Sequence, residues 1–459
     1  MPRRQTPVYG PHLPERLDLA ACAAALAIGL ATGVVVALYR LALTASIRLH
    51  GLAWTRLPAL GAAGWALLVA ATAATGAVAR LVVIRLSPES AGSGIPNVEA
   101  RLQGDRPLGW RRLLPAKFAG GLLAIGTGMS LGREGPSVQI GAALGEAVAD
   151  RAASDERTRR ALVAAGAGAG LTGAFDAPIA VVLFVLEELR CELVPLTYVT
   201  ALVASLACQL VVGRTFGEGP LLGLADLPMP GTTGVALAAA CGVACGAAGV
   251  LYNAVILALL DLHDRFRSVP DGVKAALAAA CAIPVGLFVP AALFGDEGVV
   301  MSLVHQGSAP GSPVLAALSG TVASLALLAA VKLVFTATSD ASGVVGGLFA
   351  PQLVIGAALG TLIGRLAEPI APGVHLAQVL AIAGAAAVFT ASVRVPLTGI
   401  VLLLEMTGDV RNGFTIATAA GVAYLVATAL RARPLYDALG SRRPPATTAV
   451  GSATADQSA

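Results

Sequence analysis

From about Leu19 to Leu430 one apolar stretch follows another, broken mainly by glycine and proline, and this constrains the fold more than any other feature. A bilayer accepts such a chain, and inside a bilayer every backbone polar group must be bonded within the protein, so only helices or a closed barrel can span it. The alternating pattern of a barrel strand occurs nowhere in the sequence, which leaves an all-α polytopic membrane protein. Charged residues make up 13% of the 459, roughly half the ~25% of a soluble domain, and this excludes an ordinary soluble enzyme.

Several stretches fall short of the ~20 helical residues that cross a hydrocarbon core of about 30 Å. They must be re-entrant or halves of broken helices, which a membrane tolerates only where the backbone is buried in protein or lines a cavity. Arg3, Arg4 and Arg16 precede the first stretch and Arg431, Arg433, Arg442 and Arg443 follow the last. By the positive-inside rule both ends are cytoplasmic and the number of crossings is even. The first apolar run begins only after a polar segment, so no cleavable signal peptide is expected. The net charge of +4 leaves no footprint for nucleic acid. Lysine occurs only at Lys117, Lys274 and Lys332, and this preference for arginine suggests a GC-rich bacterial genome. Six cysteines (Cys22, Cys191, Cys208, Cys241, Cys245, Cys281) lack CxxC or zinc-site spacing and read as small hydrophobes. No metal site or cofactor is expected.

The chain repeats itself. The segment Pro136–Gly145 recurs as Pro351–Gly360 and Pro178–Glu187 as Pro396–Glu405, at offsets of 215 and 218 residues with Pro, Gly and Glu in register. Two halves of odd crossing number give an inverted pseudo-symmetry, with a binding site where broken segments of both halves meet. The expected organisation is a cytoplasmic segment 1–17, a first half 18–225, a second half 226–439 and a disordered cytoplasmic tail 440–459.

Three Gly/Pro interruptions carry the chemistry: Gly92-Ser-Gly-Ile-Pro96, Gly132-Arg-Glu-Gly-Pro136 and Gly346-Gly-Leu-Phe-Ala-Pro351. Each precedes a helix-compatible run and places proline in a first helical turn, where its missing N–H costs nothing. A helix N-terminus inside the membrane offers free N–H groups and about half a positive charge, which makes an anion site without a full base. Gly92, Gly94, Gly135 and Gly347 are the expected helix-terminus glycines of that site. Glu134, in an apolar, glycine-framed setting, is a functional candidate because an intramembrane carboxylate is costly. It can take the anion's place when ionised and leave it when protonated. Glu187 and Glu188 end the Pro178 run beside Arg190, where a salt-bridged helix end is the plainer reading. Lys117 lies in an apolar segment and can balance one of these carboxylates. Gly128-Met-Ser-Leu-Gly132 matches the G-x-S-x-G pattern of serine hydrolases, with Ser130 as nucleophile, but no strand precedes it and no histidine has a triad-like setting. Small-xxx-small helix packing explains it better.

In this order and at these separations, GSGIP, GREGP and GGLFAP resemble the signature motifs of the CLC chloride channel and transporter family. The resemblance extends to Phe175–Arg190, Pro396–Thr407 and Arg433–Leu439. It implies the CLC fold: a homodimer with one anion pathway per subunit, each subunit two inverted halves of broken, tilted helices. The dimer surface would lie around Pro178–Glu187, Val194–Val212 and Pro396–Leu430. Motif by motif, the resemblance implies that Ser93 and Tyr436 give hydroxyls to the central chloride and Leu348 and Phe349 give backbone amides. Glu134 becomes the external gate and proton acceptor, Glu188 the internal proton-transfer acid, and Glu187 a structural residue. Both acids together resemble an exchanger, so the implied function is chloride/proton antiport across a bacterial inner membrane, by a transporter rather than an enzyme. A passive chloride channel of the same fold is the alternative, and a membrane-embedded serine hydrolase a remote one. Ser93 resembles the chloride-preferring members. Asp176, where relatives often have Asn, and Val344-Val345 ahead of GGLFAP depart slightly from the pattern. With so short a tail, the C-terminal CBS pair of many eukaryotic members is not expected.

Overall fold

The structure, a computed structural model, describes residues 18–224, 227, 231–295, 297–305, 321–370 and 375–442. The expected N-terminal segment 1–17, the expected 225/226 boundary of the two halves and, from residue 443 on, the expected tail 440–459 lie outside the described residues.

Among the described residues the regular structure is helical, with 3-10 turns and two isolated β-bridges besides. The first half holds α1 (Leu19–Arg56), α2 (Ala62–Leu86), α3 (Ile95–Gln103), α4 (Trp110–Gly126), α5 (Glu134–Ala152), α6 (Glu156–Phe175), α7 (Pro178–Glu187) and α8 (Pro195–Phe216). The second holds α9 (Gly231–Arg265), α10 (Asp271–Ala280), α11 (Ala282–Phe288), α12 (Glu297–Val304), α13 (Val322–Ala341), α14 (Phe349–Ala367), α15 (Leu376–Val393), α16 (Pro396–Thr407), α17 (Gly413–Ala429) and α18 (Leu435–Ser441). Eight described helical segments are long and apolar enough to cross a membrane, and α7, α16 and α17 are shorter apolar helices. Broken helices are therefore an observed property of the chain.

The repeat is visible in the packing. α5 lies on α6 and α14 on α15, and each pair touches through glycine. A Cβ on Gly141 would run into the Gly166 carbonyl, and a Cβ on Gly356, 215 positions later, into that of Gly384. In lipid, where helix association depends on close packing more than on a hydrophobic drive, such small residues let two backbones approach.

α7 and α16 cap one another. Proline at the first turn of each leaves the following N–H groups without intrahelical partners. Glu405 accepts from the N–H groups of Ile179 (3.0 Å) and Ala180 (2.6 Å), while Glu187 accepts from those of Leu397 (3.2 Å) and Thr398 (2.7 Å) and from the Thr398 hydroxyl (2.8 Å). The last glutamate of each repeated segment thus satisfies the first turn of its counterpart, and its negative charge sits at a positive helix end. Glu187 is a cap between the two halves, which a salt-bridged helix end did not anticipate.

At one end of the bundle Arg101 of α3, 5% exposed, donates to Glu146 (2.9 Å) and Glu156 (2.7 Å), and Arg159 donates to Glu146 (2.6 Å) and Asp150 (2.8 Å). Outside the apolar spans, the Arg101 guanidinium holds the Glu156 carboxyl below the usual carboxylate range. A depressed carboxyl stabilises the fold at neutral pH and loses that contribution as the pH falls, so this clamp between α3, α5 and α6 weakens only in acid.

Candidate functional site

The site is built where the three glycine turns are joined by backbone hydrogen bonds. The Gly92 N–H donates to the Val344 carbonyl at 2.8 Å and the Gly346 N–H to the Gly92 carbonyl at 3.2 Å. Gly132 and Gly347 exchange a pair of N–H to carbonyl bonds of 2.8 and 2.7 Å. These links place the starts of α3, α5 and α14 in one locus, and none of the three helices carries a capping side chain at its N-cap. The first-turn N–H groups of three helix ends, which have no intrahelical acceptors, are the kind of donor an anion needs.

Only glycine fits at the junctions. Gly94 has a φ of +86°, which favours glycine. A Cβ on Gly135 would meet the Ser93 carbonyl oxygen and Oγ at 2.8 Å, and one on Gly347 would meet the Gly135 nitrogen at 2.8 Å and Glu134 Oε2 at 2.9 Å. Glu134, wholly buried, begins α5 in the first half, yet its Oε2 accepts from the Ala350 N–H of α14 in the second at 3.4 Å. A carboxylate already sits at the converging helix ends. A cleft of about 130 Å³, lined by Arg40, Arg133, Glu134 and Phe294 among others, leads to it.

Ser93 is 3% exposed and its Oγ accepts from the Ile95 N–H at 3.4 Å. The Tyr436 hydroxyl, on α18, is buried within interaction range of Ser93 and has no hydrogen-bond partner of good geometry. Phe349 stands in an aromatic cage, its ring centroid 4.8 Å from Phe389, 5.5 Å from Tyr436, 6.0 Å from Phe184 and 6.5 Å from Phe175. Leu348, the N-cap of α14, is fixed through its carbonyl, which accepts from the Tyr252 phenol at 3.1 Å. The structure brings Ser93, Glu134, Leu348, Phe349 and Tyr436 together with Gly92, Gly94, Gly135 and Gly347. Glu188, 6% exposed at the end of α7, belongs to a neighbouring cluster within electrostatic reach of Glu99, Asp437 and Arg190.

Lys117 braces the first turn. Its buried ammonium donates to the carbonyls of Ser90 (3.0 Å) and Gly92 (2.7 Å). Hydrogen bonds to a charged group are each worth about 1.5–3 kcal/mol. Lys117→Met is expected to lower the thermal unfolding midpoint in detergent and to weaken chloride binding measured by calorimetry; unchanged chloride affinity contradicts this role. Lys332, 215 positions later, does the same in the second half, donating to Ala292 (3.2 Å), Leu293 (3.1 Å) and Phe294 next to the Gly132 turn. The repeat offset could have revealed it. Tyr252 was not legible in sequence, because no local pattern marks an α9 phenol as the partner of a carbonyl 96 residues away.

The Ser130 hydroxyl bonds to the Thr336 hydroxyl at 2.7 Å, a helix-packing contact and not a nucleophile–base pair. No cluster of three or more His, Cys, Asp or Glu residues fit for a metal occurs among the described residues.

Residues 75–428 match the sequence profile of a family described as voltage gated chloride channel. The H(+)/Cl(-) exchange transporter ClcA of Salmonella typhi is 37% identical over 389 residues, 82% of this chain and 79% of its own length. That of Salmonella arizonae is 36% identical over the same shares. Among solved structures, a slow cyanobacterial Cl-/H+ antiporter superposes with a TM-score of 0.84 at 28% identity, covering 93% of this chain and 98% of that one. A CLC-type fluoride/proton antiporter, at 21% identity, shows the fold alone, with a TM-score of 0.72 over 91% of this chain and 97% of its own.

Proposed function

The chain belongs to the voltage-gated chloride channel (CLC) family, and from that premise we propose that it exchanges chloride for protons across a bacterial inner membrane. The observation that carries this reading is Glu134: a carboxylate from one half bonded to a helix-start N–H of the other, in the place the converging helix ends prepare for an anion. Partial charges from helix ends hold an anion firmly enough to select it and loosely enough to release it, which a buried full charge does not.

The exchange cycle follows from that placement. Ionised Glu134 occupies the outer anion position and excludes chloride. On protonation the side chain loses its charge and its attraction to the helix ends, swings away, and a chloride ion takes its place. In the centre the anion is held by the hydroxyls of Ser93 and Tyr436 and the backbone amides of Leu348 and Phe349. Chloride and the Glu134 carboxylate compete for one set of donors, so the two ions move in opposite senses and net charge moves in each cycle. Glu188 passes the proton to the cytoplasm along a route separate from the anion's inner exit. Both chain ends are then cytoplasmic. Two copies would pair through α7, α8, α16 and α17, where Ile179 (58%), Leu397 (53%) and Phe414 (72%) are strongly exposed in the single chain.

The test is flux through the purified protein in liposomes, with chloride and proton electrodes read together. A chloride gradient should drive protons uphill. Chloride flux without uphill proton movement would make the protein a passive channel.

A further inference from the structure

Arg190 stands two residues after Glu188, and Asp437 directly follows Tyr436. The chain leaves α7 with Arg190 in the left-handed region, at a φ of +52°, and the Cys191 N–H closes the turn on the Val185 carbonyl at 3.2 Å. Glycine is the residue that fits this conformation, and an L side chain there carries strain. A strained non-glycine residue persists where its side chain is needed. That guanidinium donates to the Asp437 carboxylate in the first turn of α18.

The two partners are 54% and 37% exposed, facing solvent beside a cleft of about 490 Å³ lined by Arg190 and Glu192. An exposed pair contributes little to stability, so strain at Arg190 has no structural return of its own. α18 is otherwise held near its ends: the Arg433 carbonyl before it accepts from the Asn253 amide at 3.1 Å, and Arg442 after it donates to Asp261 (2.5 Å) and Asp264 (2.7 Å). Among the described residues, the Arg190–Asp437 contact links the Glu188 segment to the turn that carries Tyr436.

We propose that the Arg190–Asp437 ion pair is a positioning strut that fixes Glu188 and Tyr436 relative to one another and so sets how tightly proton transfer is tied to chloride passage. This rests on the exchange reading above. Arg190 and Asp437 touch neither ion; they act through their neighbours.

The test is the proton-to-chloride flux ratio in liposomes for the wild type, Arg190→Gly, Asp437→Asn and the reversed pair Arg190→Asp with Asp437→Arg. Arg190→Gly removes the pair while relieving the left-handed strain, so the fold persists. Both single variants should lower the ratio about threefold, the scale of an exposed ion pair, with unchanged unfolding midpoints, and the reversed pair should restore it. Single variants that keep the wild-type ratio, or a reversed pair that fails to restore it, overturn the strut. A wild type that moves no protons uphill instead removes the exchange reading and the strut with it, so the two failures are told apart by the wild-type trace alone.

Discussion

Glu134→Gln is expected to abolish proton movement while chloride continues to pass. Glutamine keeps the size and an acceptor oxygen for the Ala350 N–H that Glu134 meets at 3.4 Å, but it neither carries a negative charge nor takes up a proton. It resembles the protonated state permanently. Chloride then meets no charged competitor at the helix ends of α3, α5 and α14, and the outer proton relay is broken. The loss in proton flux should be on the order of 100-fold or more, the usual contribution of a positioned acid–base group. Paired electrode traces in liposomes read both ions at once. Proton transport that survives the substitution would remove Glu134 from the proton route.

Glu188→Gln should divide the two fluxes differently. Glu188 is buried within electrostatic reach of Glu99, Arg190 and Asp437. Its amide analogue cannot shuttle a proton, so proton flux should fall at least about tenfold. Chloride flux should fall less, because Ser93, Tyr436, Leu348 and Phe349 are untouched. Equal losses of both ions would mean that Glu188 supports the fold and not the relay.

Much of this site was legible because the chain repeats and because glycine and proline have few uses inside a membrane. GSGIP, GREGP and GGLFAP predicted three helix starts, and α3, α5 and α14 begin at Ile95, Glu134 and Phe349. What stayed hidden has long sequence separation and no periodicity. Glu187 reads as one of two acids ending an apolar run, but its carboxylate caps α16 some 210 residues away. Lys117 reads as a counter-ion for an acid, and its ammonium donates to the Ser90 carbonyl just before the GSGIP turn and to the Gly92 carbonyl that opens it. Asn253 lies in an ordinary apolar helix, yet its amide donates to the Ser392 and Arg433 carbonyls and holds the root of the helix that bears Tyr436.

By itself the sequence determined the solvent, the helical class, the two-fold internal repeat and the chemical types at the site. Those follow from composition, from register and from the rule that unpaired backbone is tolerated in lipid only where something uses it. Tertiary structure alone decided which groups meet: that Gly132 pairs with Gly347 and Gly92 with Val345, and that an acid of one half reaches a helix of the other. Pairing across two hundred residues depends on packing, which local pattern does not encode.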